Sequence, residues 1–294
     1  MTLQNHLIYV AFGGRDYQNE ILWSIFSLYQ TEIKPDCNVH VFTDDLAYLQ
    51  SQVPQEILLH ELTPNQISIW KGADNYPYRV KIKVLQECLR LYSGQFLYVD
   101  SDVVFRQPLQ PLFIAIADGA VFMDTNEGPL YANSGGIATK MKKLLRQQQQ
   151  FTLPNGEVIG LNEQFEVWNS GCIGITNIHL PQLQRAEVLM DVLYARYSLF
   201  SMEQIAVTKA FADQQLQEAK SMIHHYWYYK EFRLVIRDFL AYYSSWDHRL
   251  QHAPKWNPWI LSKEKRAYKK MGFWERTLKK ISRGYRWKNP HFMP

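Results

Sequence analysis

Two carboxylates, Asp100 and Asp102, stand two residues apart directly after the apolar run Phe96-Leu97-Tyr98-Val99, with Val103-Val104-Phe105 behind them. Acidic side chains set into an apolar stretch call for a partner, because burying an unpaired charge is costly. Hard carboxylate oxygens past a strand end suit one magnesium or manganese ion, which commonly bridges protein carboxylates to phosphate oxygens. A solvated turn also fits Asp-x-Asp taken alone; the apolar residues on both sides weigh against it.

The elements around the pair set its position. Leu7 to Phe12 is a short β-rich run ending at Gly13-Gly14, and Ile21 to Tyr29 has helical spacing. Val39 to Phe42 reads as a second strand before the turn Thr43-Asp44-Asp45, and Ile57 to Leu62 as a third. Between Arg79 and Tyr92, Ile82, Leu85, Leu89 and Tyr92 share a helical face, and Phe96 to Val99 is a further strand. Strands and helices alternate through residue 105, and the strands are nearly continuous apolar runs, which predicts an α/β fold with a mostly parallel sheet covered by helices on both faces. In such sheets ligands bind beyond the carboxyl ends of the strands. Gly13 to Tyr17, Thr43 to Asp45 and Asp100 to Asp102 are expected to meet at that rim. Past residue 105 the alternation loosens. Ala120 to Met123 and Gly171 to Ile175 look like strands, Phe151 to Asn162 reads as a loop, and no internal repeat is evident.

The 294 residues are 47% hydrophobic, enough for a sizeable core, and 14% aromatic. No apolar stretch approaches the roughly 18 residues of a membrane span, and Met1 to Asn5 has no secretory pattern. Three widely spaced cysteines, Cys37, Cys88 and Cys172, outline neither a disulfide framework nor a zinc cluster, so a cytoplasmic location is expected. The net charge of +4 is uneven: residues 263–294 hold eleven Lys or Arg against two Glu, a balance of +9, which leaves −5 for the remainder. Charge so localised points to a local partner rather than to nucleic acid.

A strand, Asp-x-Asp and an apolar continuation, preceded by a helix with basic residues at its start, resemble glycosyltransferase family 8, with its GT-A type, Rossmann-like fold. The resemblance spans about residues 7 to 232, and its motifs run in the family's order. It implies that Asp100 and Asp102 bind a divalent metal, with Asp100 and Ser101 also at the nucleotide. It implies nucleotide contacts from Ala11, Phe12 and Asp16, and stacking of a uracil on Tyr17. Lys83, 17 residues before Asp100, matches the family's basic residue at the donor, with Lys81 and Arg79 close by. Trp168-Asn169-Ser170-Gly171 resembles the family's Phe-Asn-Ser-Gly segment, so Asn169 is expected at the transferred sugar. An amide offers donors and acceptors to hydroxyls, and the glycine admits a close approach. Glu203-Gln204 matches an Asp-Gln pair, which places Gln204 on the sugar's β face, and Asp124 matches an acidic residue at donor or acceptor. His224 and Lys230 keep the family's separation of a third metal ligand and a diphosphate-binding lysine, with His225 as an alternative ligand. Trp227 stands where the family has glycine.

The resemblance thus implies a transferase with Mn2+ or Mg2+ that moves a hexose from a UDP-sugar to a glycan or glycolipid acceptor with retention, on a catalytic domain of residues 1–232 (nucleotide half 1–105, acceptor half 106–232). An inverting enzyme would need a carboxylate base such as Glu163, Glu166 or Asp124. A nucleotidyltransferase and a degenerate nucleotide-sugar binding protein are the other readings. Residues 233–294 form an aromatic and basic C-terminal region. From Met271, apolar residues recur at Trp274, Leu278, Ile281 and Tyr285, with Arg276, Lys279, Lys280, Arg283 and Arg286 on other faces. That is a basic amphipathic helix, expected on an anionic membrane surface at the inner face, or else packed on the catalytic domain.

Overall fold

The structure is a computed structural model that describes residues 4–32, 35–133, 135–283 and 292. Eleven strands are described: β1 (Gln4–Ala11), β2 (Asn38–Thr43), β3 (Leu58–Glu61), β4 (Gly94–Val99), β5 (Val103–Phe105), β6 (Val121–Pro129), β7 (Gln150–Thr152), β8 (Val158–Gly160), β9 (Glu166–Thr176), β10 (Leu216–Glu218) and β11 (Ile223–His225). Seven of them make one sheet in the order β10-β6-β9-β4-β1-β2-β3. Its neighbours are parallel except β9, which runs antiparallel to both β4 and β6.

Strand alternation divides the core. On β1, Leu7, Tyr9 and Ala11 face a cluster with the Arg15–Thr31, Gln110–Ala117 and Phe232–Tyr242 helices. Ile8 faces the opposite cluster, under the Arg79–Leu91, Leu180–Tyr197 and Met202–Ala210 helices. Helices on both faces of a mostly parallel sheet are the expected α/β arrangement. The expected boundary at residue 232 falls at the first residue of a helix whose Val235, Ile236 and Phe239 are wholly buried in the first of these clusters.

Four differences from the sequence expectations bear on the site. The first helix starts at Arg15, not Ile21, and buries the polar Gln18, Asn19 and Glu20 as it leaves the rim. The segment 151–162 contains a β7–β8 hairpin, its turn carried by Gly156 at φ 86°. The strand expected over 120–123 continues to Pro129 through two register shifts, between Met123 and Thr125 and between Asn126 and Gly128. Finally, β11 pairs antiparallel with β5, setting His225 beside Val103 and His224 beside Val104. That ribbon carries the histidines to the Asp-x-Asp turn.

The tail forms two helices, Lys263–Lys270 and Phe273–Arg283, with Gly272 between them. The expected contributions of Gly284, Tyr285 and Arg286 lie outside the described residues. Among the described residues, no helix is long and apolar enough to cross a membrane.

Candidate active site

The three rim segments meet. The Gly13 N–H donates to Asp44 Oδ2 at 2.8 Å, and Gln18 donates to Asp44 Oδ1 at 2.8 Å. Ser101, between the two aspartates, donates to Glu20 Oε2 at 3.1 Å. Glu20 is wholly buried and also takes two hydrogen bonds from Arg233, both 2.9 Å. Burial pushes the Glu20 carboxyl above its usual range, against the pull of Arg233. The Arg233 guanidinium lies over the Tyr17 ring at 4.7 Å, and Asp16 approaches it at 3.9 Å. Ala11 closes β1 in the core. Phe12 is half-buried just beyond it, with the Lys71 amine 5.6 Å from its ring.

Asp100, Asp102 and His225 form a candidate metal-ligating group: one ligand atom from each lies within 4.8 Å of the others. His225 Nε2 is 3.2 Å from Asp102 Oδ1 and 3.8 Å from Asp100 Oδ2, while its Nδ1 meets Asp124 Oδ2 at 3.1 Å. Burial alone would lower the His225 pKa, but Asp102, with Asp124 and Asp100 behind it, reverses this and raises it to about 10. Asp102 is pushed up by burial, yet His225 and Lys230 hold it well below the usual carboxylate range. Lys230 donates to Asp102 Oδ2 at 2.5 Å. The cradle for His225 is backbone: a Cβ on Gly171 would fall 2.2 Å from the imidazole ring.

The histidine brought to the aspartates is therefore His225, not His224. Successive side chains of a strand point to opposite faces, so His224 turns away. It packs against Trp259 and meets the Tyr228 hydroxyl through Nε2 at 3.2 Å. The basic residue beside the pair is likewise Lys81, not Lys83. Residues 79 and 83 lie one turn apart on a helix, whereas residue 81 lies on the opposite face. Lys83 and Arg79 pair with Glu187 on the Leu180–Tyr197 helix. Lys81, buried, reaches Asp100 Oδ1 at 3.1 Å, Glu203 Oε2 at 3.4 Å and the Ser170 carbonyl at 3.0 Å. Glu203 is thus a buried partner of Lys81, and burial pushes its carboxyl up despite that lysine. Trp227 is turned outward and 55% exposed, so its bulk does not crowd the rim.

The two residues skipped by the register shifts of β6, Asp124 and Glu127, both face the site. Bulges next to active sites commonly re-aim a side chain. Asp124 meets His225, as above. Glu127 accepts from Asn169 Nδ2 at 3.0 Å and from Gln204 Nε2 at 3.1 Å. A carboxylate only accepts, so both amides must turn their NH2 groups to Glu127. Asn169 Oδ1 then accepts the Gly171 N–H at 2.9 Å.

Sequence reading missed Glu20, Glu127 and Arg233. Lys81 and His225 carried signals: Lys81 shares a helical stripe with the buried Leu85 and Cys88, and His225 shares a strand face with the buried Ile223.

No family model matches the chain, and no curated protein matches it. Among solved structures it is similar to the galactosyltransferase LgtC in complex with donor and acceptor sugar analogs, with 13% identity and a TM-score of 0.44 over 69% of this chain and 70% of that one. It is also similar to mouse xyloside xylosyltransferase 1, with 11% identity and a TM-score of 0.45 over 73% of this chain and 84% of that one. The bifunctional WbbM is similar at 12% identity and a TM-score of 0.45 over 74% of this chain, which spans only 39% of WbbM's length. All three are glycosyltransferases. Likenesses this distant describe a shared chain path over part of the molecule, and what the site can do follows from its own groups.

Proposed function

We propose that this chain is a metal-dependent glycosyltransferase of the GT-A type, moving a hexose from a UDP-sugar to a hydroxyl of a glycan or glycolipid with retention of configuration. The observation that carries the proposal is the convergence of Asp100, Asp102 and His225 at the rim. Two carboxylates and an imidazole are a donor set for Mn2+ or Mg2+, and Gly171 leaves space that any larger residue would take from His225. Asp124 on Nδ1 holds the ring with Nε2 toward the aspartates, the usual outer support of a ligating histidine.

When bound, the ion neutralises charge growing on the departing diphosphate. The chain supplies the rest. Lys230 brings a second positive charge to the same side, and Lys81 holds Asp100 in place. Tyr17, 40% exposed, offers a ring face to the base, while Ala11, Phe12, Asp16 and Ser101 line the nucleotide edge. Asn169 and Gln204, oriented by Glu127, flank the donor sugar. Lys83, committed to Glu187, has no part in this reading.

The alternative is an inverting course, which needs a free carboxylate base. The carboxylates first considered as bases are engaged elsewhere: Glu163 by Arg146, Glu166 by Asn126 and Asp124 by His225. Glu127 is engaged as well, by Asn169 and Gln204, so retention stays the reading proposed here. The product anomer, read by NMR, separates the two courses.

The tail supports a lipid-linked acceptor. Leu278 and Ile281 are 64% and 77% exposed on the basic Phe273–Arg283 helix, with Trp274 on the same stripe. This face is proposed to rest on an anionic membrane, peripherally on the cytoplasmic side. A Leu278→Glu/Ile281→Glu variant that binds anionic vesicles as the wild type does would remove that part. The main test is UDP release across UDP-sugars with Mn2+. One donor should be turned over, and Asp102→Asn should abolish the reaction. If the protein neither binds Mn2+ and UDP nor splits any UDP-sugar, the transferase reading fails.

A further inference from the structure

Asp102 is the most enclosed carboxylate of the metal-ligating group, and the chain itself engages both of its oxygens. Oδ1 faces His225 Nε2 at 3.2 Å, and Oδ2 accepts from Lys230 at 2.5 Å. Asp100 is occupied in the same way: Oδ1 meets Lys81 at 3.1 Å and the Tyr98 hydroxyl at 2.8 Å. The two lysines differ in kind. Lys81 is 5% exposed and held at once by Asp100, Glu203 and Ser170 across three elements, so it is a fixture. The Lys230 side chain is half exposed, sits in the segment joining β11 to the Phe232–Tyr242 helix, and reaches the site at one carboxylate oxygen. Its four-carbon stem can carry the ammonium several ångströms with the backbone still.

A divalent ion and the Lys230 ammonium therefore contend for the same carboxylate, Asp102. We infer that Lys230 is a resident counter-cation of the metal site, competing with the ion for Asp102 and passing to the donor's diphosphate once the ion displaces it. This rests on the metal-site reading proposed above. While Lys230 holds Asp102, affinity for the bare ion is lowered. A diphosphate gives the displaced ammonium a new anionic partner, so ion and nucleotide each strengthen the other's binding, and the coupling is reciprocal. Lys230 thereby ties metal loading to donor loading without any movement of the sheet.

The test is titration with Mn2+ alone, free ion read by electron paramagnetic resonance, on the wild type and on Lys230→Gln, Lys230→Arg and Asp102→Asn, each then repeated with UDP. Lys230→Gln should bind Mn2+ about two- to fivefold more tightly than the wild type, the scale of a half-exposed ion pair. Lys230→Arg, which keeps the charge, should resemble the wild type. UDP should tighten Mn2+ binding more in the wild type than in Lys230→Gln. If Lys230→Gln binds Mn2+ no more tightly while Asp102→Asn abolishes binding, the metal site stands and the role of Lys230 is overturned. Tightening by Lys230→Arg equal to that by Lys230→Gln overturns it as well. If no form binds Mn2+ with or without UDP, the metal-site reading fails and the inference with it. Unchanged circular dichroism of Lys230→Gln keeps the comparison free of folding effects.

Discussion

Gly171 and His225 occupy one space: a methyl on Gly171 would lie 2.2 Å from both Cε1 and Nδ1 of the imidazole and 3.1 Å from Asn169 Oδ1. Neither β9 nor the β5–β11 ribbon can give way cheaply, so the ring would have to leave Asp102 and Asp124. Gly171→Ala is expected to weaken Mn2+ binding about 10- to 100-fold, the scale of losing a ligand's support. Isothermal titration with Mn2+ and UDP would check this. An unchanged affinity would separate His225 from the metal.

Glu127 fixes which way two amides face. Replacing it with glutamine supplies an NH2 of its own, so Asn169 and Gln204 are no longer both held with their nitrogens inward. Glu127→Gln is expected to reduce kcat by about 10- to 100-fold through lost positioning, with Mn2+ affinity preserved. Steady-state kinetics beside a metal titration would show the split. Equal loss in both would mean a general collapse of the rim.

Lys81 neutralises two carboxylates from a buried position. Lys81→Met would leave Asp100 and Glu203 without their cation, and breaking such a buried pair costs about 3–5 kcal/mol. Lys83→Met, on the more open Glu187 side, should cost about 1 kcal/mol or less. Urea unfolding of the two variants would rank them; the reverse order would contradict the placement of Lys81.

A row of histidines crosses the far part of the sheet. His6 Nδ1 meets His40 Nε2 at 3.0 Å, and His40 Nδ1 meets His60 Nε2 at 3.1 Å. Burial, helped by its two neighbours, lowers His40 to about 3, and burial lowers His6 and His60 too. An unfolded histidine titrates near 6.5, so as pH falls the unfolded chain takes protons first. The contribution of these three rings to stability is then complete above about pH 6.5 and declines toward pH 3, by about 1.4 kcal/mol per pH unit for each proton the unfolded state gains. Urea midpoints between pH 7 and 4 should fall, and His40→Gln should flatten the slope. A flat wild-type profile would show that these rings are not held neutral.

Much of this was legible from residue types. The apolar runs and intervening helical stripes give the parallel half of the sheet, and Asp100-Ser101-Asp102 marks its rim. Which histidine faces the aspartates was not fixed, because a strand's facing turns on one residue of register, and that register comes from pairing with β5, far away in sequence. Lys83 fitted a linear spacing from Asp100, whereas the helix's phase with its apolar stripe selects Lys81. Glu127 had no signal at all: two register shifts within β6 decide its direction, and they arise from pairing with β9.

The β5–β11 ribbon joins Val103 to His225. A growing chain that has reached only residue 200 already carries Asp100 and Asp102 but neither His225 nor Lys230. Its rim would be an acidic patch without its imidazole or its resident ammonium. Under the metal-site reading proposed above, the three-group site is complete only once the last third of the chain has docked, and Mn2+ binding that depends on His225 would serve as a certificate of that docking.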